Sequence, residues 1–572
     1  MKKRWYFIIL LITAGILLLA LTAAESGDRT VSFGDKDGRA ADTGPVNSGA
    51  DKIRIVSREE YEAVLGQKRG TVFKASDLLW HRSSPACDEE SASVYIPCDV
   101  QKLTSEVSSG RDRFAAEILT GLQPSEKDSM ILVCEDDRMD DPGEAVSSGS
   151  PFDALIVSGQ NAGVFRIILT GLPALCLDKT DQEEIVRKEE HEGRIRYIPL
   201  SPSSDDRACE DYFCRFHVRG NVSSTLEKKP FKVTLTDKAG NQLKGTLADL
   251  RQDDDWILNP LFTDSTRVRE MTAYGLWDQI SAFSEVPQAS SRMRYVEVFL
   301  DNSYQGIYGL MEPVDGRQLA LTEGDLLYKI DRWDREYPYL DEYDKKEGET
   351  VIYNDRGFPC VEIRYPTVWD RTASWLPMQA FHAFSFRTQD LQTLKRAGLE
   401  INTDSLVTMS LYCALTHAMD STWKNSLLIA KAEGDGGYKL FRTIWDLNYV
   451  FGDVFIYAPE EGYTIFDAGT AGSYKPTEDT TYDFEAFLSA DPGLQDSLRK
   501  KWAVWRQGGV SADCVCHAAD LYLSLLKNSG ALAREMERWP QEESADEAFD
   551  RMEEWIRARF AYLDKRFGFN TK

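Results

Sequence analysis

Two patterns of apolar and polar positions divide the chain. Short runs alternating with period two dominate the first half, and longer runs with apolar residues three or four apart dominate the second. From Ile53-Arg54-Ile55-Val56, short apolar runs at 93–96, 130–133, 154–157 and 164–168 are separated by acidic turns. They predict a small β-rich domain over 53–168 with one helix at about 113–121. A second strand series starts near Leu172, with alternation at 212–218 and 231–235. The stretch 267–283 reads as a helix carrying Val268, Met271, Gly275 and Ile280. Runs at 295–300 and 305–311 flank Asp301-Asn302-Ser303, a β-hairpin signal. Residues 331–360 are charged and broken, which reads as a long loop. After about 373 the pattern is helical, with Asp404 as the expected cap of a helix through Leu406, Met409, Leu411 and Leu415. A short hairpin is expected from 427–430 and 439–444 around Gly434-Asp435-Gly436-Gly437. The tail 485–568 is helical with a break at Trp539-Pro540. The fold class is therefore α+β, with a β-rich lobe to about 330 and a helical lobe after about 373.

The N-terminus changes the picture of location. Met1-Lys2-Lys3-Arg4 precedes an uncharged apolar run, 5–24, of about 20 residues, enough to span hydrocarbon as a helix. Residues 1–24 are expected to be a signal peptide or a transmembrane anchor, with the bulk of the chain exported. Residues 25–52 are rich in Gly, Ser, Asp and Lys and read as a flexible linker. Lys and Arg number 67 against 93 Asp and Glu, a net charge of −26. That balance argues against nucleic acid as a partner, because phosphate contacts need clustered positive charge. Ten cysteines include no C-x-x-C pair, and none of the 6 histidines sits in H-E-x-x-H. Zinc chemistry is not indicated; the cysteines read as buried apolar residues or occasional bridges.

One constellation suggests chemistry. Asp420 is followed five positions later by Asn425, the Asp-x4-Asn spacing of a kinase catalytic loop. Trp445-Asp446-Leu447-Asn448 follows a hairpin, 446 − 420 = 26 positions beyond Asp420. Phosphoryl transfer needs a carboxylate to take the proton of the nucleophile, oxygen ligands for Mg2+, and a cation on the phosphates. Asp420 suits the first role; Asp446, Asn425 and Asn448 suit the second. Upstream, Lys228-Lys229-Pro230-Phe231-Lys232 places Lys232 opposite the face shared by Phe231, Val233 and Leu235. Arg219-Gly220-Asn221-Val222-Ser223-Ser224 is a polar turn able to cradle phosphate. Met311-Glu312-Pro313-Val314 lies between the lobes, where an adenine-binding hinge is expected, with Glu312 and Val314 as its contacts.

In this order the residues resemble the bacterial spore-coat protein H (CotH) kinase family. The similar stretches are 216–224 with 228–235, Asp254-Asp255-Trp256-Ile257-Leu258-Asn259, Arg269 with Ala273-Tyr274, 296–300 with 305–308, Glu312-Pro313-Val314-Asp315, Asp420 with Asn425, 445–452, and the tail at Arg538-Trp539, Trp555-Ile556 and Arg559. The resemblance covers about 170–568. It implies a two-lobed atypical protein-kinase-like domain, with ATP and Mg2+ as cofactors and transfer to Ser or Thr of surface or spore-coat proteins. By the same resemblance Asp420 is the catalytic base, and Asp446 is the principal metal ligand assisted by Asn425. Lys232 or Lys229 contacts phosphate. Two positions depart from the family pattern: Asn448 stands where an Asp is usual, and Glu270-Met271 replaces an Asn-Lys pair. They keep a nucleotide-binding pseudokinase open beside the active kinase. A non-catalytic surface scaffold or adhesin is the alternative from another class. Pairing Asp254 with Asp420 as a glycosidase has no support in the spacing.

Overall fold

Twenty strands and nine α-helices are described in the computed structural model, which covers residues 53–570 apart from 68–73, 81–83, 100–118, 120–121, 125–128, 135–145, 160, 182, 201–208, 221–222, 285–289, 331–360, 371–372, 386–390, 435 and 454–490. The apolar run 5–24, the linker 25–52, most of the helix expected at 113–121 and the loop 331–360 lie outside the described residues.

The first β-runs form β1 (Ile53–Val56), β2 (Leu78–Trp80), β3 (Ala86–Asp88), β4 (Ser93–Pro97), β5 (Leu122–Pro124), β6 (Ser129–Cys134), β7 (Phe152–Ser158) and β8 (Asn161–Thr170). Six of them make one mixed sheet in the order β1-β6-β7-β8-β4-β3, with β2 and β5 paired separately. Helix α1 (Arg58–Gln67) precedes β2. One face of the sheet buries Val94, Ile96, Ile131, Val133, Ile156 and Phe165 in a core shared with Ala174, Cys176, Phe299 and Tyr304 of the next sheet.

That next sheet is a closed barrel. Its strands are β9 (Ala174–Lys179), β10 (His191–Ile198), β11 (Glu210–Val218), β12 (Phe231–Thr236), β13 (Asp255–Asn259), β14 (Met293–Leu300) and β15 (Ser303–Met311), in the order β10-β11-β12-β13-β15-β14-β9. Alternation decides what goes inside: Phe216, Val218, Phe231, Val233, Trp256, Leu258 and Val298 fill the interior. Ile257, Met293, Tyr295, Ile307 and Met311 face outward into the largest core. The β14–β15 hairpin turns at Asp301 (φ 49°) and Asn302 (φ 58°). Both are left-handed, as a two-residue turn matching the strand twist requires.

The barrel ends with β15. Strand β16 (Leu326–Ile330), near the end of the expected β-rich lobe, joins a second sheet with β17 (Val361–Tyr365), β18 (Leu399–Ile401), β19 (Ser426–Ala432) and β20 (Tyr438–Ile444), in the order β17-β16-β19-β20-β18. Around it lie α2 (Arg269–Ser281), α3 (Leu376–Ala383), α4 (Leu391–Arg396), α5 (Thr403–Thr416), α6 (Pro492–Gln507), α7 (Ala512–Asn528), α8 (Ala531–Arg538) and α9 (Ala545–Phe567). Trp277, Tyr412, Trp502, Trp505 and Trp555 are buried among them. The cap of α5 differs from expectation. Asn402, not Asp404, accepts the Ser405 N–H at 2.7 Å. Asp404 lies inside the first turn and pairs with Lys501 of α6. Its carboxylate is thus drawn to a cation on a neighbouring helix instead of to its own backbone.

A buried charge joint docks α8 on the barrel. Glu535 accepts from Lys228 Nζ at 2.7 and 2.9 Å, from Arg267 Nε at 2.9 Å and from the Ile307 N–H at 2.7 Å. Its carboxylate fills the space a Cβ on Gly306 would need. Beside it Arg534 makes two 3.0 Å bonds to Glu297. The nine described cysteines are all unbridged, and seven of them are buried. Among the described residues no helix is long and apolar enough to cross a membrane.

Candidate functional site

The candidate site forms where α5 ends. His417 closes the helix in the left-handed region (φ 57°), and the chain turns through the short helix Met419–Ser421 that carries Asp420. Asn425, also left-handed (φ 54°), hydrogen-bonds its N–H to the Ile330 carbonyl at 2.9 Å and immediately precedes β19. At the end of β20 the chain turns again at Asp446 (φ 59°). Asn and Asp tolerate this conformation better than most residues, and such backbone is concentrated at functional sites. The two turns are tied together. Ser421 Oγ donates to the Asp446 carbonyl at 2.8 Å and reaches the Trp445 carbonyl at 3.3 Å. Asp420 and Asp446, far apart in sequence, therefore lie on adjoining turns.

Asp420 Oδ2 accepts from Lys424 Nζ and from Asn425 Nδ2, both at 2.7 Å. The Asn425 amide nitrogen is thereby committed to Asp420, and its carbonyl oxygen is the end presented elsewhere. Side chains of Asp420 and Lys424 are 18% and 28% exposed, so the pair is sheltered without being sealed. Lys424 was not singled out from sequence. Its position four after Asp420 was the available signal.

Around Asp446 lie charges of both signs. Arg219, just past β11, stands with its guanidinium carbon 5.9 Å from the Trp445 ring centroid. Burial pushes the Arg219 pKa below its ordinary value, Asp446 pulls it back up, and Arg364 adds to the fall. Glu270, on the first turn of α2, is buried and bonded by Asn259 Nδ2 at 2.7 Å. Burial and the neighbouring Asp446 push its carboxyl up to about 8, against the Asn259 amide, Arg219 and the Leu447 N–H. A carboxyl replaces the expected amide at this point of α2. Arg269, next to it, ties α2 to the Phe451 carbonyl at 2.8 Å. Gly452 then passes so close to Trp555 of α9 that a Cβ would meet the indole at 2.6 Å.

The other residues singled out from sequence take different places. Lys232 points outward from β12, as its alternation predicted, and pairs with Asp255 at 3.0 Å, both side chains about one-third exposed. Lys229 donates to the Ser224 and Leu226 carbonyls at 3.2 and 2.5 Å, bracing the turn before β12. Ser223 starts a short helix, its hydroxyl pressed against Gly220 (φ 87°). Glu312 is buried and accepts the Arg251 N–H at 2.8 Å, within a network of Arg251, Asp253, Asp315 and Arg317. Val314 is buried in the largest apolar core. Asn448 is half-buried two residues past Asp446. Asp254 is held by Arg317 in the same network as Glu312.

Among the described residues no group of three or more His, Cys, Asp or Glu side chains is placed to hold a metal ion. The expected set has one carboxylate, Asp446, with amide oxygens from Asn425 and Asn448. Hard oxygen donors of this kind suit Mg2+, which keeps most of its waters and relies on the phosphates of its substrate for the rest. The orientation of the Asn425 amide, nitrogen toward Asp420, fits that use.

A family model described as CotH kinase protein matches residues 216–563, from within β11 to within the last turns of α9. The match takes in the barrel from β11 onward, the second sheet and every residue of the candidate site. No curated protein matches the chain.

Proposed function

Because the chain belongs to the CotH kinase protein family, we propose that it is an ATP- and Mg2+-dependent kinase, exported or surface-tethered, that phosphorylates Ser or Thr of surface or spore-coat proteins. One observation carries the reading. The Ser421 bond to the Asp446 carbonyl brings the Asp-x4-Asn loop and the second aspartate together, with Lys424 and Asn425 both fixed on Asp420. These are the parts phosphoryl transfer needs, in the order it needs them.

In this reading Asp420 receives the hydroxyl proton of the incoming Ser or Thr as the oxygen attacks the γ-phosphorus. The bond from that phosphorus to the β–γ bridging oxygen breaks, and ADP leaves. Lys424 and the Asn425 amide hold Oδ2 of Asp420 and so fix the carboxylate that takes the proton. Arg219 faces the phosphates from the barrel side. Mg2+, held by Asp446 and the Asn425 and Asn448 oxygens, would supply neutralisation of phosphate charge. Glu270, held near neutrality at pH 7, adds little negative charge beside Asp446.

The test is phosphotransfer from γ-labelled ATP with Mg2+ to the chain itself and to serine-rich surface protein. Labelling is expected, and Asp420→Asn should reduce it by about 10²- to 10⁴-fold, the usual worth of a positioned base. Equal labelling by the variant removes Asp420 from the role. ATP binding without transfer in either protein supports the pseudokinase reading, which Asn448 favours.

A further inference from the structure

Ser421 and Glu270 hold one peptide group from its two edges. The peptide joining Asp446 to Leu447 has its carbonyl bonded by Ser421 Oγ at 2.8 Å, from the loop that carries Asp420. Its N–H donates to the Glu270 carboxyl, on the first turn of α2. Glu270 is buried, and Asn259 of β13 fixes it in turn through Nδ2 at 2.7 Å. Asp446 needs such support. Its φ of 59° is left-handed, and backbone of this kind persists only where surrounding contacts over-determine it. A peptide group is planar, so gripping it sets ψ of the residue before and φ of the residue after. Here those residues are Asp446 and Leu447, and Asn448 comes next. One peptide therefore sets the course of the chain between two expected oxygen ligands. Arg269, beside Glu270, holds the same turn farther along, at the Phe451 carbonyl.

We propose that Glu270 is a positioning residue for the metal-binding turn, locking the Asp446–Leu447 peptide against Ser421 so that Asp446 and Asn448 meet the divalent cation together; this rests on the kinase reading above. Glu270 acts through that peptide and is not itself a ligand. Partners just outside a ligand set commonly carry about 10- to 100-fold of metal affinity, because they orient the groups that bind. Accepting a backbone N–H needs an oxygen and no charge, so the role holds whether or not Glu270 keeps its proton. An amide oxygen can fill it equally. The device also joins the two halves of the site. Glu270 and Asn259 belong to α2 and the barrel, and Ser421 belongs to the loop of the expected base. A shift of α2 would draw the Asp446–Leu447 peptide away from Ser421, and the metal turn and the base would lose register together.

Mn2+ binding to the full chain with a non-hydrolysable ATP analogue, read by electron paramagnetic resonance, tests this. Wild type should bind the ion. Glu270→Met removes the acceptor at similar size and should weaken Mn2+ by about tenfold or more. Glu270→Gln keeps an acceptor oxygen and should bind nearly as wild type does. Ser421→Ala frees the other edge of the peptide and should weaken Mn2+ as well. Because both changes release one peptide, the double variant Glu270→Met with Ser421→Ala should lose less than the product of the two single losses. Urea midpoints show that each variant is assayed folded; should Glu270→Met not fold, Asn259→Ala, which frees the Glu270 carboxyl, takes its place. Wild-type Mn2+ affinity in Glu270→Met overturns the inference and leaves the kinase reading intact. Equal losses in the Gln and Met variants make Glu270 a direct ligand and overturn it too, as do losses that multiply in the double variant. If wild type binds no Mn2+ with the analogue, the kinase reading falls as well.

Discussion

The joint between α8 and the barrel and the candidate site are built from the same residue types and treat them in opposite ways. In the joint, Lys228 and Glu535 are both 0% exposed, and the carboxylate meets two cations and a backbone N–H. Every charge there has an opposite charge at hydrogen-bond distance. In the site, Asp420 and Lys424 remain partly open, Asn425 and Asp446 hold left-handed backbone, and burial and the neighbouring Asp446 push the Glu270 carboxyl up. Buried, satisfied charges fix one arrangement, and removing one partner is costly. Clustered, imperfectly compensated charges cost stability and leave groups able to bind or react. The first region holds the helical part against the barrel; the second is where chemistry has room.

The sharpest way to break this contrast is to remove one acid from each region. Glu535→Ala strands Lys228 and Arg267 without a counter-charge. It should lower the unfolding free energy by about 3–5 kcal/mol, read from urea midpoints. Asp420→Asn should leave the midpoint within about 1 kcal/mol of wild type while labelling collapses. Comparable stability losses in the two variants would erase the distinction drawn here.

Gly452→Ala tests a point where the site meets the C-terminal helix. With φ at 85° and the Trp555 ring 2.6 Å from the new Cβ, the variant should lose about 1–3 kcal/mol. A neutral result would mean that the turn after Asp446 is free to shift.

What the sequence revealed follows from the range of the interactions involved. The Asp301-Asn302 hairpin, the β12 alternation and the Asp420–Asn425 spacing are local, set by neighbouring residues, and legible. Closure of the barrel through the parallel pairing of β9 with β14 joins residues more than a hundred apart and leaves no periodic trace. The same holds for the lysines at 228, 229 and 232. All three read as one basic strand, yet Glu535 of α8 selects the first, carbonyls of the turn take the second, and Asp255 of β13 takes the third. Asp404 was mistaken for a cap because its true partner, Lys501, lies 97 positions away.

The two regions should also differ in the sign of their pH dependence. Glu270 keeps its proton to about 8 in the folded chain, against an ordinary value of 4.5. Between those values the folded state binds more protons than the unfolded, so its contribution falls as pH rises and is complete only below 4.5. Lys228 is pushed down to about 7 by burial, against 10.5. Between 7 and 10.5 the unfolded chain binds more protons, so stability rises with pH. Each slope is at most about 1.4 kcal/mol per pH unit. Without nucleotide or metal, Glu270→Gln should flatten the acid-side fall in urea midpoint, and Lys228→Met the alkaline rise.

The smallest effect concerns Lys232, which the sequence offered with Lys229 as a phosphate contact, and its partner Asp255. Lys232 and Asp255 are 36% and 30% exposed at 3.0 Å. Water screens such a pair, and holding two long side chains in one geometry costs entropy. A double-mutant cycle of Lys232→Ala with Asp255→Ala should give a coupling of about 0.2–1 kcal/mol, shrinking as salt is raised. That places it well below the Lys228–Glu535 joint, although the two lysines are four positions apart on one segment. The difference then comes from burial and not from residue type. A coupling above about 2 kcal/mol would mean that β12 and β13 are locked by this pair as α8 is locked by Glu535. The division into a sealed joint and an open site would then fail on the barrel side.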